Sequence, residues 1–121
     1  MLLIFLLFLG VFYFKEIRHS NYEWQKAGKI TNRTLSYLKL YHDTIPPGSN
    51  LYFVNTPIRF EDAWVFPVGL NDGIWFVYRD ETLNIRNVSN LQEARNLKSK
   101  DLKNKSYIFA FDKDFVMEEV K

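Results

Sequence analysis

The stretch Ser20–Val54, SNYEWQKAGKITNRTLSYLKLYHDTIPPGSNLYFV, decides the fold. It reads as a helix, a hard stop and a buried strand. Ser20-Asn21-Tyr22-Glu23 has the S-x-x-E spacing of a capping box, in which serine and glutamate side chains satisfy the first free amides of a helix. Trp24, Ala27, Ile30, Leu35, Leu38 and Tyr41 then recur at spacings of three to five, which predicts one apolar helical face. Lys26, Lys29, Arg33 and Lys39 lie mostly off that stripe. The predicted helix covers 21–43 and stops before Ile45-Pro46-Pro47-Gly48, because proline supplies no N–H and clashes with the preceding turn. Leu51-Tyr52-Phe53-Val54 follows as an unbroken apolar run, the pattern of a strand covered on both faces.

Downstream, Asn55-Thr56-Pro57 turns the chain. Residues 64–78, WVFPVGLNDGIWFVY, carry two readings. Val68, Leu70, Ile74, Trp75 and Tyr78 suit a helix of about ten residues from near Pro67, whereas Asn71-Asp72-Gly73 between aromatic runs suits a hairpin. The helix is the reading adopted. Thr82–Arg86 alternates polar and apolar, as a half-exposed strand does. Asn90 can cap a short helix through Leu97 that turns Leu91, Ala94 and Leu97 inward. Tyr107–Phe111 is a second buried strand, and Phe115–Met117 an edge strand after the Asp112-Lys113-Asp114 turn. The expected class is α/β (α+β): an N-terminal hydrophobic helix, a long amphipathic helix, and a small mixed sheet of about four strands with one or two packed helices.

Upstream lies MLLIFLLFLGVFYF, Met1–Phe14, without a charge. As a helix it rises about 21 Å, against about 30 Å of bilayer hydrocarbon. A signal-peptide core would need a basic flank before it and a small-residue cleavage site after it; Lys15-Glu16-Ile17-Arg18 follows instead. An uncleaved single-pass anchor, the end of a longer transmembrane helix with Met1 an internal or truncated start, and a buried N-terminal helix of a soluble domain are the other readings. The transmembrane-end reading is adopted, because the run begins at full strength on residue 1. Tyr13 and Phe14 followed by Lys15 and Arg18 then form an interfacial exit. Residues 1–19 are the anchoring unit and 20–121 the small α/β domain. A helix continuing through Lys15–His19 would join the two into one rod. The expected partner is the lipid bilayer, through Leu2 to Phe14. Taken alone, the positive-inside rule would set the body in the cytoplasm from the cations after the run, but the rule is weak for whole domains, and in a multi-span protein earlier helices can set the topology.

A formal net charge of +2, with acids dispersed among the bases, excludes a nucleic-acid footprint. The absence of cysteine excludes disulfides, thiolate metal sites, a cysteine nucleophile and a lipoprotein anchor. His19 and His42 stand 23 residues apart without an HxxxH pair. Both read as exposed helix residues, and no metal ligand is assigned. No phosphate-binding glycine loop, serine elbow or metalloprotease motif occurs, so no catalytic residue and no cofactor are assigned. In open α/β sheets ligands sit beyond the carboxyl ends of strands. That rule selects Asn55, then Arg59, Asp62 and Trp64 in the following loop, and Asp112 after the second buried strand. Such a set can bind a sugar or a lipid headgroup by hydrogen bonds and ring stacking. The plainer reading has Asn55 capping a turn, Arg59 paired with Glu61 or Asp62, and Trp64 in the core.

Trp24-x-x-Ala27-Gly28, Pro46-Pro47-Gly48, Leu51-Tyr52-Phe53-Val54-Asn55-x-Pro57 and Phe66-x-x-Gly69-Leu70 form a succession. It resembles the C-terminal extracytoplasmic domain that follows the last transmembrane helix in bacterial membrane glycosyltransferases of the GT-C type. The resemblance covers roughly residues 1–78. It implies an extracytoplasmic accessory domain of a multi-span enzyme that uses a lipid-linked sugar donor, with the upstream membrane domain as a partner. The acidic catalytic residues of that superfamily lie far upstream, so none is carried onto this chain. A free-standing, singly anchored binding module is the alternative, and a small soluble enzyme has no motif in its favour.

Overall fold

The computed structural model describes every residue, Met1–Lys121. It is a mixed α/β fold with three helices and a four-stranded mixed sheet. Helix α1 is one uninterrupted element, Leu2–Tyr41, about 60 Å long. The two expected N-terminal helices are therefore a single rod, and the capping-box reading of Ser20–Glu23 is corrected. Ser20 lies mid-helix, where the amides already bond to the preceding turn and none is left to cap. Glu23 turns inward instead. The buried stripe is Glu23, Ala27, Ile30, Thr34 and Leu38. Trp24 and Leu35 sit roughly 80–100° round from its centre, so Trp24 is exposed and Leu35 only half-buried. Tyr41, also expected inside, lies exposed at the last turn against Tyr37.

At the helix end the Leu38 carbonyl accepts the His42 amide at 2.8 Å. The single Tyr78 hydroxyl hydrogen is shared between two carbonyls, that of His42 at 2.7 Å and that of Leu38 at 3.1 Å. His42, expected on an exposed helix face, lies just past the helix. Its side chain, only 13% exposed, sits against the Tyr107 and Phe109 rings. Ser49 donates to the Pro46 carbonyl within the Pro46-Pro47-Gly48 turn that follows.

Strand β1, Asn50–Val54, is buried at every residue. Two parallel neighbours flank it, β4 (Asn84–Val88) and β5 (Ser106–Phe111), and β6 (Met117–Glu119) runs antiparallel to β5. The order is β4-β1-β5-β6. The chain leaves β1 for β4 through α2 (Leu70–Tyr78) and returns past β1 to β5 through α3 (Leu91–Lys100). The two crossovers run in opposite directions over opposite faces, so they have the same hand, as parallel connections require.

Alternation along the central strands divides the interior. Leu51, Phe53, Tyr107, Phe109 and Phe111 join Ala27, Ile30, Leu38, Leu70 and Ile74 in the main core beneath α1 and α2. Tyr52, Val54 and Ile108 face the other way and pack with Ala94 of α3. Helix α2 settles the reading of 64–78: Asn71-Asp72-Gly73 lies inside its first turns and forms no hairpin. Its start at Gly69 uses a φ of 101°, open to glycine and strained for any other residue. The Asn90 cap is as expected, with its side chain accepting from the Glu93 amide at 2.9 Å.

Two short strands were not foreseen. β2 (Arg59–Phe60) and β3 (Ala63–Trp64) form a hairpin that packs on α1. The C-terminal strand lies two residues later than expected. Asp112 Oδ1 accepts from the Asp114 and Val116 amides, both at 2.8 Å, and this turn takes up the residues through Val116.

Phe53 is fully buried and stacked on Phe109 at 5.2 Å. Phe53→Ala is expected to cost about 3–5 kcal/mol, measured as a lowered urea midpoint. Asp101 joins α3 to β1, accepting from Asn50 Nδ2 at 2.8 Å and from the Lys103 and Asn104 amides. These bonds, that from Asn50 foremost, hold its carboxyl below the usual range. The stabilisation is thus complete above the unfolded value near pH ~4 and is lost as pH falls through the lower folded value. Melting temperature against pH should show a shallower acid limb in Asp101→Asn than in the parent chain.

Candidate functional site

The polar residues nearest the apolar segment gather around the hairpin. β2 and β3 are joined by Glu61 and Asp62, and Glu61 takes a left-handed φ of 52°. That turn brings Glu61 Oε2 to 3.8 Å from His19 Nε2, while Glu23 Oε1, one helical turn along, lies 2.8 Å from the same nitrogen. His19 and Glu61 are largely exposed and Glu23 is buried. Burial raises the Glu23 carboxyl above its ordinary range, the Glu61 carboxyl adds to the rise, and His19 opposes it. The hairpin is held to the helix by the Thr31 hydroxyl, which donates to the Val65 carbonyl, and by buried Ala63 and Val65.

The five residues selected from the strand-end rule do not form one cluster. Arg59 and Trp64 meet directly across the hairpin, with the guanidinium carbon 4.1 Å from the ring centroid. Trp64 is 42% exposed, so its reading as core is corrected. Arg59 makes no ion pair with Glu61 or Asp62; the indole face takes that place. Asp62 is exposed at the hairpin turn. Asn55 ends β1 with φ 56°, a conformation asparagine tolerates better than most residues. Asp112 lies at the same end of the sheet, since β1 and β5 are parallel. Its carboxylate is committed to the β5–β6 turn. At this sheet end Thr56 also donates to Asn87 Oδ1 at 2.7 Å, tying the β1 loop to β4.

A third grouping lies on the adjacent side of α1. Tyr22, Lys26, Lys29 and Arg33 line a cleft of about 320 Å³ closed by Phe60 and Phe115. Arg33 is partly spent there, donating to the Asp114 and Phe115 carbonyls at 3.1 and 2.7 Å. Sequence reading placed these cations off the apolar stripe and had no means to bring Phe60 and Phe115 to them. It also missed His19-x-x-x-Glu23, whose spacing puts both side chains on one helical face. Glu61 reaches them only through the tertiary fold.

Comparison with known proteins returns nothing: no family model matches the chain, and neither does any curated protein or solved structure.

The left-handed backbone at Asn55 gives a direct test of its structural role. Asn55→Gly should melt at or above the parent temperature, whereas Asn55→Ala should lose about 1 kcal/mol. Equal melting temperatures for the two variants would contradict that role.

Proposed function

We propose that this chain is a membrane-attached accessory domain, seated in lipid by Leu2 to Phe14, with its α/β body on the bilayer surface. The observation that carries the reading is the exposure of the first third of α1. Every residue from Met1 to Phe14 except Leu9 is exposed, and those side chains are apolar on all sides of the helix. A stripe would fit a groove in another protein; an apolar circumference fits hydrocarbon. No helix is long and apolar enough to cross a membrane. Leu2–Phe14 rises about 20 Å, which carries it through one leaflet and past the midplane.

The residues around the exit fit the same reading. Tyr13 and Phe14 precede Lys15 and Arg18, and Arg18 lies over the Phe14 ring at 5.6 Å. The His19–Glu61 contact places the hairpin beside this exit. Exposed Ile58 and the Arg59–Trp64 pair then reach the headgroup layer, where indole and guanidinium are both at home. In this reading Arg59 and Trp64 contact headgroups, a narrower role than the five-residue ligand site.

The resemblance over residues 1–78 supports the more specific proposal, an extracytoplasmic C-terminal part of a multi-span glycosyltransferase that uses a lipid-linked sugar. Its chemistry would lie outside this chain. The closed core of the body, drawn entirely from Ala27–Met117, favours the second reading, a singly anchored binding module that folds unaided.

Flotation with phospholipid vesicles tests membrane attachment. The full chain is expected in the lipid fraction, and the Leu6→Asp, Val11→Asp double variant in the aqueous fraction with an unchanged melting temperature. A parent chain that stays in the aqueous fraction would sink the proposal. A photoreactive side chain at Phe8 in the native membrane separates the two readings: cross-links to neighbouring membrane helices support the accessory domain, and cross-links to lipid alone support the free-standing module.

A further inference from the structure

We propose that His19, Glu23 and Glu61 bind one divalent transition cation of the zinc class. Each supplies one ligand atom, and the three atoms lie within 4.8 Å of one another. A tetrahedral zinc with bonds of about 2.0–2.1 Å sets its ligand atoms about 3.3–3.4 Å apart. The separations from His19 Nε2, 2.8 Å to Glu23 and 3.8 Å to Glu61, fall either side of that value. Shifts of about half an ångström bring these two separations to the zinc value, the third pair, Glu23 and Glu61, lies within the same 4.8 Å, and the two exposed side chains are free to adjust. The third, Glu23, is only 4% exposed and fixed in the helix–hairpin packing, so it serves as the rigid ligand.

The His19 contacts tie the hairpin to α1, but they do not account for the pairing of two carboxylates. The arrangement directs a buried carboxylate at a second carboxylate, with Asp62 close by and one imidazole as the only basic group in the cluster. Like charges brought together in this way repel, whereas a divalent cation neutralises both carboxylates at once. The donor set selects the ion. One imidazole and two carboxylate oxygens suit zinc and its neighbours, while calcium takes six or more oxygens and magnesium an octahedral shell. Three protein ligands leave a fourth position facing solvent on the exposed side of the cluster, filled by water or by an oxygen of a bound group.

The test is a zinc titration of the full chain in detergent micelles by calorimetry, with cobalt absorption as a readout of coordination number. The expected result is one ion per chain and a tetrahedral cobalt spectrum. His19→Ala and Glu61→Gln should each weaken zinc binding tenfold or more. Both residues are exposed, so the far-ultraviolet circular dichroism of the variants should match that of the parent. Failure to bind zinc saturably, or undiminished affinity in both variants, would overturn the proposal.

Discussion

The structure depends on the burial of one helical stripe. Ala27, Ile30 and Leu38 of α1 close the main core over Leu51, Phe53, Phe109 and their neighbours. Removing that cover would expose the aromatic face of β1 and β5 to water, at about 1.5–3 kcal/mol for each large side chain. Because α1 has no break, fixing this half of the helix also fixes the direction of the other half. About 30 Å of helix projects before the first buried residue. The apolar segment is thus held on a stiff extension of the core.

The hairpin of β2 and β3 strengthens this geometry at its weakest point. A bare helix leaving a domain frays unless tertiary contacts reach along it. The Thr31–Val65 hydrogen bond and the ring contact between Phe60 and Phe115 extend the packed surface along α1, and the His19–Glu61 contact carries it four residues beyond Glu23. The same contacts gather titratable and aromatic groups beside the base of the projecting helix. Under the proposed membrane attachment, the aromatic rings and cations there would lie at the boundary between lipid and water.

Local pattern made much of the body readable. Leu51–Val54 and Tyr107–Phe111 announce doubly covered strands because nearly every residue is apolar, and both form at the expected place. Asn90 announces α3 because its side chain acts three residues away. Other features are set by distant partners. Glu23 in place of Trp24 lies on the buried stripe, its carboxylate 2.8 Å from His19, and no helical periodicity anticipates that exchange. The hairpin itself contains only two residues per strand, too few for an alternation to register. The candidate site fared accordingly. The strand-end rule placed Asn55 and Asp112 at the same sheet end, yet the Asp112 carboxylate is taken by its own turn. Arg59 and Trp64 meet because they face each other across a hairpin that the sequence did not disclose.

The proposed membrane seat makes α1 one helix in two solvents, with the change at Phe14–Lys15. A nitroxide scan tests this most directly, and the absence of native cysteine allows single cysteines to be introduced from Leu3 to Arg18. In bilayer nanodiscs, collision with dissolved oxygen should dominate at Leu3 to Tyr13 on every side of the helix. Collision with a water-soluble nickel complex should rise sharply from Lys15 to Arg18. Strong nickel accessibility at positions from Leu3 to Tyr13, or an alternation of the two with the helical period, would contradict the account.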